Sequence, residues 1–187
     1  MKTYAGIGNK KTPENIINII KIVAILLSHD KYVCATGACT GADQAFAEGT
    51  IIANGFVHLH VPWESYEIGW RSKLKGHIRT FVLKDDDVEA YNTVAIFHPA
   101  YNKLSPSVKA LHARNYNIVK NASFLVCWTE DGQVTGGTGQ AIKIATYFHL
   151  PIYNLGNEKT FNDMLTAIKR RKHELAIYDL PYSGIFQ

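Results

Sequence analysis

Three short apolar runs in this chain each end in a glycine-rich turn that leads into a helical stretch: Thr3–Gly8 into Asn9–Pro13, Tyr32–Thr36 into Gly37–Asp43, and Phe124–Thr129 into Thr135–Gln140. One such turn only joins a strand to a helix. Several in one parallel sheet open along a single edge, where helix N-termini attract anions. The repetition therefore predicts an α/β fold, a doubly wound parallel sheet of about five core strands with helices on both faces, and a nucleotide or phosphate pocket at its carboxyl edge.

The pattern between the turns supports this. Residues 2–7 read as the first strand, and Thr12-Pro13-Glu14 carries a polar cap, a first-turn proline and an early acid, so a helix is expected from Glu14 to Ser28 with a broad apolar face. Strands follow at Tyr32–Ala35 and Phe56–Val61, separated by a helix over Gly41–Ala53 whose alanines let it lie close to the sheet. Pro62–Lys84 is aromatic and basic without clear periodicity and reads as an insertion at a pocket rim, spanning about 62–85. Asp85-Asp86-Asp87 then precedes a helix over Val88–Phe97, and Ser105-Pro106-Ser107 starts another running to about Lys120. The three acids read as a helix-start charge cluster favoured by the dipole, since adjacent carboxylates on a helix point apart and hold a metal poorly. A strand at Ser123–Trp128, a helix at Gly136–Tyr147, a strand at Pro151–Asn154 and an amphipathic helix over Phe161–Ile168 complete the alternation, with a tail from about residue 171.

At 187 residues the chain has the usual size of one domain, so residues 1–187 are expected to form a single unit. With 47% hydrophobic and 19% charged residues it is ordinary for a globular protein, and no window approaches the roughly 20 apolar residues needed to cross a bilayer. The first residues enter a core strand with no signal-like apolar region, so a cytoplasmic location and no membrane partner are expected. A net charge of +4 permits contact with phosphates but is too mild to identify a nucleic-acid binder. Cys34, Cys39 and Cys127 are odd in number and two lie in or beside strands, so reduced thiols are expected, and no zinc site, for want of a fourth close ligand.

The loops carry the chemistry. Thr36-Gly37-Ala38-Cys39-Thr40-Gly41-Ala42-Asp43 offers two glycines, hydroxyls and backbone amides at a helix start. Gly37, Thr40 and Gly41 are candidate phosphate contacts, while Asp43, which would repel a phosphate, reads as a helix cap or a ribose ligand. Thr135, Gly136, Gly137, Thr138, Gly139 and Gln140 make the sharper cradle, because three glycines allow close backbone approach. Gly6 and Gly8 add a weaker third loop, where Lys10 and Lys11 read as solvated charges. No Gly-Lys-Ser/Thr and no complete Gly-x-Gly-x-x-Gly occurs, which argues against kinase and dehydrogenase chemistry. Arg114 is the cation best placed for bidentate phosphate contact, against a structural ion pair as the alternative. His58 and His60 alternate on one strand face and read as core or edge histidines, since nothing nearby completes a metal set. Trp63, Tyr66 and Trp70 suit either a base-stacking wall or simple core closure.

In combination these segments resemble the SLOG superfamily, which includes DNA-processing protein A and the Lonely Guy phosphoribohydrolases, with the nearest likeness to DprA-like Rossmann proteins of bacteriophages. The resemblance covers about residues 3–155 and rests on Tyr4-Ala5-Gly6-Ile7-Gly8 with Thr12-Pro13, Thr36-Gly37-Ala38 with Gly41-Ala42-Asp43, His98-Pro99 with Leu104-Ser105-Pro106, Ala113-Arg114-Asn115, and Cys127-Trp128-Thr129 leading into Thr135–Ala141. It implies a Rossmann-like sheet that binds a nucleotide or nucleotide derivative at the glycine loops, and, for a phage protein, a host cytoplasm. Relatives commonly assemble through helices flanking the sheet, which leaves a homo-oligomer open. No cofactor is implied.

Enzyme activity does not carry over directly. The phosphoribohydrolases pair an arginine-lysine helix motif with a glycine loop ending in glutamates; Arg114 matches, but Asn115 replaces the lysine, and Ile142 and Lys143 stand where acids are expected. Cleaving an N-glycosidic bond needs a group that stabilises an oxocarbenium-like sugar and activates water. Arg114, Glu64 and Glu67, with Asp43, are the candidates left. The leading expectation is a binder of a nucleotide or nucleotide-derived small molecule, such as a signalling nucleotide. An N-glycosidase acting on nucleoside monophosphates comes second. Single-stranded DNA binding ranks third, on the basic Lys169-Arg170-Arg171-Lys172 run and the cationic, aromatic insertion.

Overall fold

A computed structural model describes residues 1–174, with side chains through Arg171. Six strands alternate with seven helices: β1 (Thr3–Gly8), α1 (Glu14–His29), β2 (Val33–Thr36), α2 (Ala42–Ile52), β3 (Phe56–Val61), α3 (Ile68–Arg71), β4 (His77–Val82), α4 (Val88–Phe97), α5 (Pro106–Val119), β5 (Leu125–Trp128), α6 (Gly136–Tyr147), β6 (Ile152–Asn154) and α7 (Glu158–Glu174). All strands are parallel, in the order β4-β3-β2-β1-β5-β6. The chain winds outward from β1 through β4, then returns to the other side of β1 with β5. The switch point thus lies between β1 and β5, where open α/β sheets form a crevice beyond their carboxyl ends.

The sheet has one strand more than expected. β4 comes from the stretch read as an insertion, where His77–Val82 pairs residue for residue with Phe56–Val61. Its alternation is masked because the outward positions of this edge strand hold His77, Arg79 and Phe81. The rest of that stretch closes the core: Tyr66, Trp70 and Leu74 pack on Val57, Leu59 and Val61, and Trp70 Nε1 donates to Glu48 Oε1 at 3.2 Å. The helix expected at Phe161–Ile168 is longer, running to Glu174, and the tail beyond it lies outside the described residues.

Each strand side has its own core, as period-2 alternation requires. Tyr4, Cys34, Val126 and Trp128 face α1, α2 and α7, while Ala5, Ile7, Ala35, Leu125 and Cys127 face α5 and α6. Burial pushes the thiols of Cys34 and Cys127 up to about 12, so both are inert apolar fillers. Asp87 of the acidic triplet caps α4, accepting from Ala90 N at 3.1 Å, and its other oxygen accepts from Asn117 Nδ2 at 2.8 Å. Among the described residues no helix is long and apolar enough to cross a membrane.

β3 and β4 introduce a pH dependence. Burial, with His58, Arg114 and Lys120 nearby, holds the half-buried His60 imidazole down at about 3. The unfolded chain protonates it near its ordinary 6.5, so the unfolded state binds the extra proton between about 6.5 and 3. Stability is therefore expected to fall as pH drops through that window, by up to ~1.4 kcal/mol per pH unit from this group. Urea unfolding between pH 7 and 5 measures the slope, and His60→Gln, which cannot protonate, should flatten it by about one proton.

Candidate functional site

A cavity of about 600 Å³ occupies the β1/β5 switch point and is lined by all three glycine turns. Gly8, Asn9 and Lys10 come from the end of β1, Cys39, Thr40 and Asp43 from the turn into α2, and Thr135 through Thr138 from the turn into α6. α5 forms the remaining wall with Val108, Leu111, His112, Arg114 and Asn115, while Tyr66 and Glu67 overhang from the segment before α3.

The floor is a buried ion pair. Arg114 Nη1 donates to Asp43 Oδ2 at 3.0 Å, with the two residues 6% and 1% exposed, and Gly8 N donates to the other oxygen, Oδ1, at 3.1 Å. Burial pushes the Asp43 carboxyl up; Arg114 and the N–H groups of Gly8 and Cys39 pull it partly back. This corrects one expectation. Asp43 does not cap α2, since its oxygens accept from Gly8 N and Arg114 Nη1 and the α2 N-cap, Gly41, has no side-chain partner. Arg114 makes the structural ion pair through Nη1, and both residues line the cavity. The alternatives could not be separated in sequence because the partners lie 71 positions apart.

Several glycines turn out to be spacers. A Cβ on Gly37 would collide with the Arg114 guanidinium and Asp43, so glycine there is what lets the pair form. A Cβ on Gly6 would sit 2.5 Å from Phe46 Cγ, placing this glycine beneath α2 and out of the cavity. Gly6→Ala is expected to destabilise by ~1–3 kcal/mol through overpacking while leaving ligand contacts intact, as chemical denaturation would measure. Gly41 has φ +94° and would press a Cβ against Asn9 O at 2.7 Å, and Gly139 packs on the Val134 carbonyl. Neither lines the cavity. Gln140 is buried behind the wall, where Oε1 shares a 2.7 Å hydrogen bond with His112 Nδ1.

The α6 turn is the open part. Thr135 occupies the N-cap without a side-chain hydrogen bond, and the first helical bond runs from Gly139 N to Thr135 O at 2.9 Å. The amides of Gly136, Gly137 and Thr138 therefore have no intrahelical acceptor and stand at the positive end of the helix dipole. Asn154 braces the preceding loop: Thr129 N donates to its Oδ1 at 3.2 Å, and its Nδ2 donates to Thr129 Oγ1 at 2.7 Å. Asn115 Nδ2 donates to Gly137 O at 3.1 Å, while its Oδ1, in a residue 4% exposed, has no hydrogen-bond partner. Such a buried orphan acceptor is costly unless something donates to it.

Among the proposed catalytic carboxylates, Glu67 lines the cavity from a left-handed backbone, φ 51°. Glu64 does not, pointing instead at Arg71 Nη2, 3.9 Å away. Ile142 is buried, and Lys143 Nζ donates to Phe97 O at 3.2 Å, so α6 supplies no acid to the cavity. Glu130, His112 and Asn115 also line it and were not singled out in sequence as site residues. The available signal was helical spacing, since Val108, Leu111, His112 and Asn115 fall at i, i+3, i+4 and i+7 on α5. The basic run on α7 is elsewhere: Arg171 pairs with Asp30, the C-cap of α1.

The fold is shared with solved structures. DNA processing protein A from Helicobacter pylori, studied for its single-stranded DNA binding mode, aligns with a TM-score of 0.61 at 13% identity, over 94% of this chain and 80% of that one. DprA from Streptococcus pneumoniae aligns at 0.56 and 12% identity, over 89% of this chain and 56% of its own length. The structural-genomics protein TM1055 aligns at 0.50 and 18% identity, over 81% and 72% respectively. This is the Rossmann-like fold that the sequence resemblance implied. No protein-family model and no curated protein matches the chain by sequence.

Proposed function

We propose that this protein binds a nucleotide or nucleotide-derived small molecule, with a phosphate on the amides of Gly136, Gly137 and Thr138. The uncapped start of α6, opening into a cavity at the sheet's switch point, carries this reading. Asn115 supports it by bracing the turn, its Nδ2 donating to Gly137 O at 3.1 Å. Arg114 and Asp43 tie α5 to α2 at the base of the cavity through their ion pair. A thermal-shift panel of mononucleotides, NAD derivatives and cyclic nucleotides tests the reading. A ligand at 100 times its Kd adds ~2.7 kcal/mol, or roughly 5–10 °C for a domain of this size. If no phosphate-bearing compound raises the Tm, the reading fails.

A second reading, cleavage of an N-glycosidic bond, rests on Glu67 and Glu130 in the cavity wall. Its test is chromatographic release of free base from nucleoside monophosphates at high protein concentration; absence of base removes it. Single-stranded DNA as the ligand draws on the fold shared with the Helicobacter pylori protein. Gel-shift binding that does not weaken with added salt would contradict it.

A further inference from the structure

α5 packs over β1, β2 and β3, so among the described residues the α5 side of β4 and the outer part of β3 are left open. That open face is unusual in its side chains. Phe56, His58 and His60 on β3 register with His77, Arg79 and Phe81 on β4. Phe56 stacks on His77 at 4.8 Å, His60 stacks on Phe81 at 5.0 Å, and the Arg79 guanidinium lies over Phe81 at 4.9 Å.

Where this ladder meets α5, a cavity of about 400 Å³ opens, with His60, Phe81, Lys84, Asn117 and Lys120 among its walls. Its size is that of a small-ligand site. Asp87, the acid in its wall, has both oxygens committed, one to Ala90 N and one to Asn117 Nδ2. Lys84 is exposed at the rim, Lys120 lines the wall with its ammonium over the Tyr116 ring at 5.0 Å, and Arg114, whose Nε is buried without a hydrogen-bond partner, closes it from behind. Burial, then His58, depresses His60 most, and the charges of Arg114 and Lys120 add to it. Flat rings set beside two lysines, in a cavity whose one carboxylate is engaged by Ala90 N and Asn117 Nδ2, match a ligand that is itself flat and negative.

We propose that this cavity is a second ligand site, distinct from the α6 turn, which takes a small anion bearing an aromatic ring. The ring lies against His60 and Phe81, and the acid group is met by Lys84 within the field of Lys120.

Phenyl phosphate serves as the probe, with inorganic phosphate and phenol as its separated halves, followed by NMR of the His58 and His60 ring protons at pH 7.5. Phenyl phosphate should move both sets of resonances saturably, with each half binding about tenfold more weakly or less. Lys84→Glu reverses the rim charge and Phe81→Leu removes the ring on an exposed edge strand; each should weaken binding about tenfold. Gly137→Asp, which blocks the α6 turn, should leave the titration unchanged, so this site and the nucleotide reading fail separately. Unmoved His58 and His60 resonances would overturn the proposal. So would shifts that vanish in Gly137→Asp and persist in Lys84→Glu.

Discussion

Arg114→Ala lowers the Tm by about 10 °C, the expected result of leaving the Asp43 carboxylate buried without its cation. Removing one partner of a buried pair costs ~3–5 kcal/mol, and each kcal/mol moves the Tm of a domain this size by ~2–4 °C. Asp43 is 1% exposed. Its remaining support in the variant is the N–H groups of Gly8 and Cys39. The pH dependence has a definite sign. Loss of Arg114 removes a group that pulls the Asp43 carboxyl down, so its folded value rises further above the unfolded one. A raised folded value costs stability as pH climbs through it, hence the deficit of Arg114→Ala grows as pH rises and shrinks as pH falls. Adding Asp43→Asn removes the stranded charge and should recover part of the loss at pH 7. A scanning-calorimetry Tm for Arg114→Ala within about 2 °C of the wild type would show that the pair does not hold the cavity together.

Gly137→Asp separates binding from folding. A Cβ at this position meets nothing closer than Asn115 Nδ2 at 3.9 Å and His112 Cε1 at 4.0 Å, so the side chain has room. A carboxylate in the first turn of α6 interacts favourably with the helix dipole, and the variant should be as stable as the parent or better by ~0.3–1 kcal/mol. The same carboxylate occupies the place proposed for the phosphate. Like charges brought together at a site cost several kcal/mol, so phosphate-bearing ligands should bind about a hundredfold more weakly or not at all. Isothermal titration against whichever nucleotide raises the Tm measures the change. Undiminished affinity in a folded Gly137→Asp would move the phosphate away from α6.

Where a segment's own chemistry decides its structure, the sequence could be read directly. The helices Val88–Phe97 and Gly136–Tyr147 and the strand Phe56–Val61 have the bounds that their caps and alternation imply. The fourth strand escaped because an edge strand with one open face can carry histidine, arginine and aromatic residues, which erases the apolar signal. Glycine was harder still. Gly6, Gly37 and Gly137 look alike in a glycine-rich turn, yet one makes room for Phe46, one for the Arg114–Asp43 pair, and one stands 3.9 Å clear of its nearest neighbour.

What the sequence by itself determined is therefore the alternation of strands and helices, the parallel sheet, and the edge on which three turns converge. These follow from local periodicity and turn chemistry, which act over a few residues. The tertiary structure alone decided that Asp43 and Arg114 neutralise each other, that Asn115 Oδ1 is buried without a partner, and that His60 and Phe81 share a face no described helix covers. Those outcomes depend on which distant side chains are brought within a few ångströms and cut off from water, and no local pattern encodes that.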